Sequence, residues 1–226
     1  MRILSIGKTI EHERLDIRNI NESDLATVQD IQHFSYIIIN GGDGTIRRVV
    51  KTLHTMQHNA KFILNPIGSF NVIAKLHKVP KLNILLDALV NDTLLKSQKQ
   101  QYYSLNDEIF LFSAGNMGDL QHVFLSETLR FGILKKGIAK YILAILFLLP
   151  VHLIMTPFML LSKRRFFIFT PASFISQFGS FYGKVKKMQI DLDNSYNHIE
   201  LDGDVVTIEK PLLNIKPAGY IEIISI

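Results

Sequence analysis

The sequence predicts an open α/β sheet domain followed by a smaller domain of antiparallel β-strands. Three observations support this fold class. Short apolar runs alternate with helix-like segments over the first hundred residues, two of these runs end in glycine-containing turns, and strict two-residue alternation begins only in the second half. The predicted domains are therefore residues 1–100 and residues 101–226.

Composition limits the kind of protein and its partners. A chain of 226 residues with 47% hydrophobic and 20% charged residues is long enough to bury a substantial core. The absence of cysteine excludes disulfides and thiolate metal sites and fits a reducing compartment. The net charge of +5 and pI near 9.3 favour anionic partners. Because zinc-finger spacing and RNA-binding aromatic signatures are missing, nucleic acid is not an expected partner.

Each element of the first domain follows from hydrophobic periodicity. RILSI reads as a strand, and YIII and FIL are continuous apolar runs of the kind that form parallel strands covered on both faces. Between them, apolar residues at helical spacing predict a helix from Thr45 to about His58. A further helix is predicted from about Phe70. The order strand, helix, strand is a βαβ unit, which predicts ligands at the carboxyl ends of the strands.

The second half carries strand signals. KMQIDLD alternates apolar and polar residues, as a half-buried antiparallel strand does. HIELDGDVVTIE predicts a hairpin, and YIEIISI predicts a closing strand. These segments predict the antiparallel domain.

The stretch GGDGT, residues 41–45, joins the YIII strand to the first predicted helix. Glycine has no Cβ, so Gly41, Gly42 and Gly44 let backbone N–H groups approach a phosphate closely. Asp43 adds a carboxylate suited to Mg²⁺ or to polarising a reacting hydroxyl, and Thr45 can cap the helix or bind a phosphate oxygen. A purely structural turn is the alternative interpretation.

A second turn, PIGSFN, follows the FIL strand and offers Gly68, Ser69 and Asn71. Because neighbouring parallel strands end at the same edge of a sheet, both turns are expected to open onto one cleft. Neither a P-loop nor G-x-G-x-x-G is present, which disfavours the familiar ATPase and dinucleotide sites. The pair of turns predicts a nucleotide-phosphate site.

GGDGT, followed about twenty residues later by P-x-G-S-x-N, resembles the catalytic domain of diacylglycerol kinases and related bacterial lipid, sphingosine and ceramide kinases. FLFSAGNMGDL is similar to the segment that opens the family's second domain, and LDGD is similar to its late Leu-Asp-Gly-Glu segment. The resemblance covers nearly the whole chain, and the first turn is its most specific motif. It implies an NAD kinase-like open α/β domain followed by an abridged antiparallel β-sandwich.

The resemblance also implies an ATP- and Mg²⁺-dependent enzyme that transfers the γ-phosphoryl group to a lipid hydroxyl. Asp43 and Asp204 are then the candidate catalytic residues, with Asp204 as general base. The candidate ATP-binding residues are Gly41, Gly42, Gly44, Thr45, Gly68, Ser69 and Asn71. The metal ligands, the lipid and the oligomeric state are not predicted.

Several positions differ from the family pattern. Arg47-Arg48 stands where Asn-Glu is usual, Val72 replaces an aspartate, and an acidic segment lacks a counterpart between Phe166 and Lys184. The Asn-Pro-x-Ser-Gly turn after the first strand is also missing, and Asp202-Gly203 equally fits a hairpin turn. These differences leave open a non-catalytic nucleotide- or lipid-binding module of the same fold. Phosphorylation of a soluble acceptor such as NAD is a third hypothesis.

An apolar segment, predicted to be helical over residues 138–162, has basic residues on both sides. Since Pro150 and Pro157 disfavour a continuous helix, a buried position is preferred, then contact with an anionic membrane surface, then a membrane span. We expect a cytoplasmic protein that is peripheral at the inner face of the membrane. His54 and His58 are four residues apart and are expected on a solvated helix face rather than as a metal pair.

Overall fold

The computed structural model describes the chain over residues 1–68, 71–116, 150, 154, 164–171, 181–183 and 185–225. This part of the chain forms two compact units. Unit 1 comprises residues 1–111 and 217–226, and unit 2 comprises residues 112–216. The predicted domain division at residue 100 stays a prediction, because a compact unit is not by itself an independently folding domain.

Unit 1 contains a mainly parallel sheet with helices. Its elements, in chain order, are β1 (Arg2–Ile6), β2 (Asp16–Ile20), two 3-10 helices (Glu22–Thr27 and Ile31–His33), β3 (Tyr36–Gly41), α1 (Asp43–Leu53), β4 (Lys61–Pro66), α2 (Val72–Leu76), α3 (Leu82–Val90), β5 (Lys96–Leu105) and β6 (Glu108–Phe110). The last strand of the chain, β13 (Leu212–Ser225), also joins this sheet, whose order is β2-β1-β3-β4-β13-β5-β6. Strands β1 to β4 are mutually parallel, so their carboxyl ends share one edge.

Apolar runs explain why these strands lie at the centre of the sheet. Ile3, Ile38 and Ile63 come from three adjacent parallel strands and are almost fully buried. Leu85 and Leu86 of α3 cover them in one hydrophobic cluster. Strands buried on both faces need no polar alternation, which accounts for the continuous YIII and FIL runs.

Helix α1 is shorter than the sequence predicts. Its apolar stripe of Ile46, Val49, Val50 and Leu53 is buried, as expected for one face against a sheet. The helix ends at Leu53, however, and not at about His58. The amide of Met56 turns back to the carbonyl of Leu53, and the polar residues that follow offer no further apolar position to this stripe.

Unit 2 contains a mostly antiparallel sheet. The strands of unit 2, in chain order, are β7 (Ser113–Gly115), β8 (Phe167–Phe169), β9 (Phe181–Tyr182), β10 (Met188–Asp191), β11 (Asn197–Leu201) and β12 (Asp204–Ile208). The sheet order is β12-β11-β7-β8-β9. Strands β11 and β12 form the predicted hairpin, with Leu201 opposite Asp204. The remaining strand, β10, shows the predicted alternation and pairs with the first part of β13.

The predicted fold class is confirmed, because an open, mainly parallel α/β sheet is accompanied by a separate antiparallel sheet. Of the apolar region at residues 138–162, only Pro150 and Ile154 lie within the described residues, so its predicted conformation stays a prediction. Among the helices that the structure describes, none is long and apolar enough to cross a bilayer.

Candidate functional site

The first glycine turn joins β3 to the N-terminus of α1. Gly42 is the N-cap of this helix, with extended backbone and no side-chain cap. The first intrahelical bond runs from the Ile46 amide to the Gly42 carbonyl at 3.1 Å. The amides of residues 43–45 precede this bond, and helix geometry gives them no intrahelical acceptor. They are therefore suited to binding an anion at the positive end of the helix dipole.

Close packing explains why position 41 is glycine. A Cβ atom on Gly41 would lie 2.5 Å from the Cβ atom of Thr45. Real Cβ atoms essentially never come so close to another heavy atom. The Thr45 hydroxyl oxygen accepts a hydrogen bond from Arg48 Nη2 at 3.3 Å, which leaves its own proton available to an incoming acceptor. The predicted strand–turn–helix arrangement around GGDGT is thus present.

The second glycine turn lies directly against the first. A Cβ atom on Gly68 would come within 2.8 Å of the Gly42 Cα atom, and the Ile67 amide donates to the Gly41 carbonyl at 3.3 Å. The two turns therefore converge at one edge of the sheet, as the sequence predicts. Ser69, the other candidate of this turn, lies outside the described residues.

Asn71 fixes the exit of the second turn. Its backbone is left-handed, with φ of 49°, and its Nδ2 donates to the Gly68 carbonyl at 2.5 Å. Its Oδ1 is buried, has no hydrogen-bond partner among the residues that the structure describes, and would lie 3.6 Å from a Cβ atom on Gly42. The side chain thus contacts the place where the turns meet, where a polar ligand would complete its hydrogen bonding.

Asp43 connects the two turns. One carboxylate oxygen accepts the Val72 amide at 2.8 Å and the other accepts the Ile73 amide at 3.0 Å, so Asp43 caps α2. The residue is only 9% exposed, and burial raises the pKa of its carboxyl against the lowering effect of these two amides and of Lys75. These contacts give Asp43 a positioning role. The predicted catalytic role stays a prediction.

The arginines that depart from the family pattern are neutralised by acids of other elements. Arg47 is buried and its Nη1 lies 3.1 Å from Glu108, which also binds Lys51 Nζ at 2.5 Å. Arg48 pairs with Glu22 of the first 3-10 helix, at 2.5 Å. These ion pairs could not be predicted from the sequence, because the acidic partners lie far from the arginines along the chain. The positive charge predicted beside the turn is therefore locally compensated.

A chain of hydrogen bonds between polar side chains supports the loop after β1, a loop to which the sequence assigned no role. Asn40 is buried, donates to Ser5 Oγ at 3.0 Å, and accepts from Asn65 Nδ2 at 2.7 Å. Ser5 in turn donates to the Lys8 carbonyl at 2.8 Å. A cavity of about 280 Å³ opens at this loop, lined in part by Gly7, Lys8 and Thr9. The Gly-Lys-Thr sequence directly after the first predicted strand was the one sequence feature that could have pointed to this cavity.

In unit 2, Asp202 and Gly203 form the two-residue hairpin turn, with φ of 51° and 91°. These values match a type I′ turn, so the turn interpretation of Asp-Gly is correct. The buried Asp202 carboxylate accepts the amides of Phe112 and Ser113, both at 2.9 Å. Asp204 is half-buried at the start of β12. The structure therefore places Asp43 in unit 1 and Asp204 in unit 2, and the role of Asp204 stays a prediction.

The described residues do not form a protein-held metal centre. Among them, no group of three or more His, Asp or Glu side chains could hold a metal ion. Both oxygens of Asp43 are already bound to backbone amides. His58 lies beyond the end of α1 and packs its ring edge-on against Phe62, so the prediction that it lies on a solvated helix face is wrong for this residue. These residues fit a phosphate group, and the predicted use of Mg²⁺ stays a prediction.

The comparison with known families agrees with this geometry. Residues 7–101 match the diacylglycerol kinase catalytic domain. The resemblance predicted from the sequence is thereby confirmed over the segment that contains both glycine turns, and it supports a kinase-like function. No curated protein shows significant similarity to the chain.

A solved structure that aligns with the whole chain supports the same fold. A diacylglycerol kinase from Bacillus anthracis str. Sterne aligns over 100% of this chain and 96% of its own, with 13% identity and a TM-score of 0.53. Another structure from that organism aligns over 55% of this chain and 54% of its own, with 18% identity and a TM-score of 0.41. An NAD kinase from Archaeoglobus fulgidus in complex with ATP aligns over 100% of this chain and 93% of its own, with 11% identity and a TM-score of 0.46.

Proposed function

We propose that the protein is an ATP-dependent kinase that transfers the γ-phosphoryl group to a lipid hydroxyl. The observation that carries the proposal is the direct contact of the two glycine turns at the N-terminus of α1, within the segment that matches the diacylglycerol kinase catalytic domain. Phosphoryl transfer depends mainly on positioning and on neutralising charge, and amides at a helix N-terminus supply both.

Several groups of the chain would bind the phosphates of the ATP donor together. The amides of residues 43–45 would bind phosphate oxygens, and the glycines allow the backbone to approach them. Thr45, Gly68, Ser69 and Asn71 would complete this binding. Asp43 would hold α2, and with it the second turn, in place. Mg²⁺ enters this proposal only as the counter-ion of ATP.

The reaction needs a group that accepts the proton of the lipid hydroxyl. In the proposal, the Asp204 carboxylate takes this proton while the acceptor oxygen forms a bond to the γ-phosphorus. The bond between that phosphorus and the β,γ-bridging oxygen breaks, and ADP leaves. We further propose that the protein works in the cytoplasm at an anionic membrane surface, where a lipid acceptor is available.

Transfer of labelled phosphate from ATP to diacylglycerol and to a panel of other lipids tests this function. We expect a labelled lipid product with the wild-type protein and a rate at least about 10²-fold lower with Asp204→Asn, since general acid–base catalysis contributes this much. Asp191→Asn, which changes an exposed aspartate of β10, is the matched control and should keep full activity. Absence of product with every lipid, or equal rates for both variants, would contradict the proposal.

A non-catalytic nucleotide-binding module is the second candidate. The observation that favours it is that both carboxylate oxygens of Asp43 are engaged by backbone amides. This version predicts ATP binding in calorimetry without turnover of any acceptor. Labelled product that is lost in Asp204→Asn would exclude it.

A further inference from the structure

A surface beside the glycine turns exposes large aliphatic side chains. Ile67 is 58% exposed, Leu76 is 48% exposed, and Ile84 is 45% exposed. Ile67 precedes Gly68 in the second turn, Leu76 ends α2, and Ile84 lies in the first turn of α3. These three exposed aliphatic residues lie within 18 positions of the chain, in and just after the second glycine turn.

Lysines share this stretch, and acidic residues are missing from it. Lys75, Lys78 and Lys81 are all exposed. The sequence contains no aspartate or glutamate from residue 44 to residue 86. We call the six residues Ile67, Lys75, Leu76, Lys78, Lys81 and Ile84 the 67–84 surface. It carries positive charge that no acid within its own segment neutralises.

The helices of this segment are anchored through their other faces. Ile73 and Ala74 of α2 and Leu85 and Leu86 of α3 are buried. The exposed aliphatic residues are thus additional to the core and are not needed to hold the helices in place. A five-residue connection, residues 77–81, joins α2 to α3.

The 67–84 surface is physically joined to the candidate phosphate site. Asp43 binds the first two amides of α2, and Gly68, next to Ile67, contacts Gly42. The charge of Lys75 acts on the Asp43 carboxylate. A molecule bound to this surface is therefore next to the turns that would hold the phosphoryl donor.

We propose that the 67–84 surface docks on an anionic membrane leaflet, with its aliphatic side chains in the interface and its lysines at the lipid phosphates. Apolar side chains surrounded by lysines bind bilayers in this way, by buried apolar area together with attraction to anionic lipids. The occupant is assigned by charge complementarity. This inference deepens the proposed function, since it names the surface by which the kinase reaches a lipid.

Vesicle flotation without ATP tests the proposal on the full chain. Wild-type protein should float with vesicles of phosphatidylcholine and phosphatidylglycerol and stay unbound with phosphatidylcholine alone. Replacing Lys75, Lys78 and Lys81 by Gln should weaken partitioning about tenfold or more, since each lysine near an anionic surface contributes measurably. Leu76→Ser with Ile84→Ser should weaken it by a similar factor, because less apolar area is buried.

Matched controls separate this surface from general charge and hydrophobicity. Replacing Lys96, Lys99 and Lys216 by Gln changes the net charge equally, and Leu212→Ser removes another exposed aliphatic residue. These variants should float like wild type. If wild type does not bind the anionic vesicles, or if the control variants lose as much binding as the 67–84 variants, the proposal is overturned. A protein that floats but never transfers phosphate contradicts the proposed kinase function and leaves this docking surface standing.

Discussion

Gly42 and Gly68 lie in direct backbone contact, so close that a Cβ atom on Gly68 would come within 2.8 Å of the Gly42 Cα atom. The two residues belong to turns that follow neighbouring parallel strands. Their contact places two backbone segments side by side at the N-terminus of α1, and the absence of a Cβ atom on Gly68 is what permits it.

Asn71 is expected to matter through both its backbone and its side chain. Asn71→Ala should lower the free energy of unfolding by about 1–2 kcal/mol, because alanine tolerates the left-handed conformation poorly. Asn71→Gly should cost less, since glycine adopts this conformation freely and only the bond to Gly68 is lost. Urea unfolding of the two variants checks the order. Equal stabilities would show that backbone conformation is not the main contribution.

Asp43→Asn should lower the free energy of unfolding by about 1–3 kcal/mol. An asparagine can accept only one of the two α2 amides and turns its NH₂ group toward the other donor. The loss outweighs the gain from removing a buried charge if capping is the main role of this residue. Asp87→Asn, an exposed position of α3, is the control in thermal unfolding. An Asp43→Asn protein as stable as that control would contradict the positioning role.

The buried ion pair of Arg47 and Glu108 should contribute more to stability than the half-exposed pair of Arg48 and Glu22. Glu108→Gln leaves a guanidinium whose side chain is 5% exposed facing a neutral partner, at a cost of about 3–5 kcal/mol. Glu22→Gln should cost about 1 kcal/mol or less, because the side chains of Glu22 and Arg48 are both partly exposed to water. Denaturant unfolding of both variants measures the difference. A larger loss for Glu22→Gln would contradict the burial argument.

His58 should make stability depend on pH in the mildly acidic range. Burial lowers the pKa of His58 from its ordinary value of 6.5, so the folded state favours the neutral ring. A lowered pKa contributes stability that is present above pH 6.5 and is lost as the pH falls through the folded-state value. His58→Gln should therefore lose less stability than wild type between about pH 7.5 and 5.5. His33→Gln, at an exposed position, should follow wild type, and the opposite order would refute the assignment.

The sequence predicted those parts of the site that depend on local rules. The GGDGT turn, the helix start and the type I′ turn at Asp202-Gly203 each follow from residues that are adjacent in the chain. The convergence of the two turns was also predictable, because neighbouring parallel strands end at the same edge.

Contacts between distant residues could not be predicted in this way. The acceptor role of Asp43 involves amides 29 and 30 residues away, and Arg47 finds Glu108 across 61 residues. Strand β2 was also missed, because an edge strand with a largely polar, half-exposed sequence has no apolar run. The exposure of the 67–84 surface could not be predicted, because periodicity alone places these aliphatic residues in the core as readily as on the surface.

Calorimetric titration of ATP into wild-type protein and Gly68→Ala tests the central claim most directly. The added methyl group would press on Gly42 and on Asn71 Oδ1, at 2.8 and 2.9 Å, and would separate the turns. Ile67→Ala, which trims an exposed neighbour, is the matched control. We predict ATP binding by wild type and Ile67→Ala and at least about tenfold weaker binding by Gly68→Ala, a difference of about 1.4 kcal/mol. Equal ATP affinity in all three proteins, or no binding by wild type, would contradict the account.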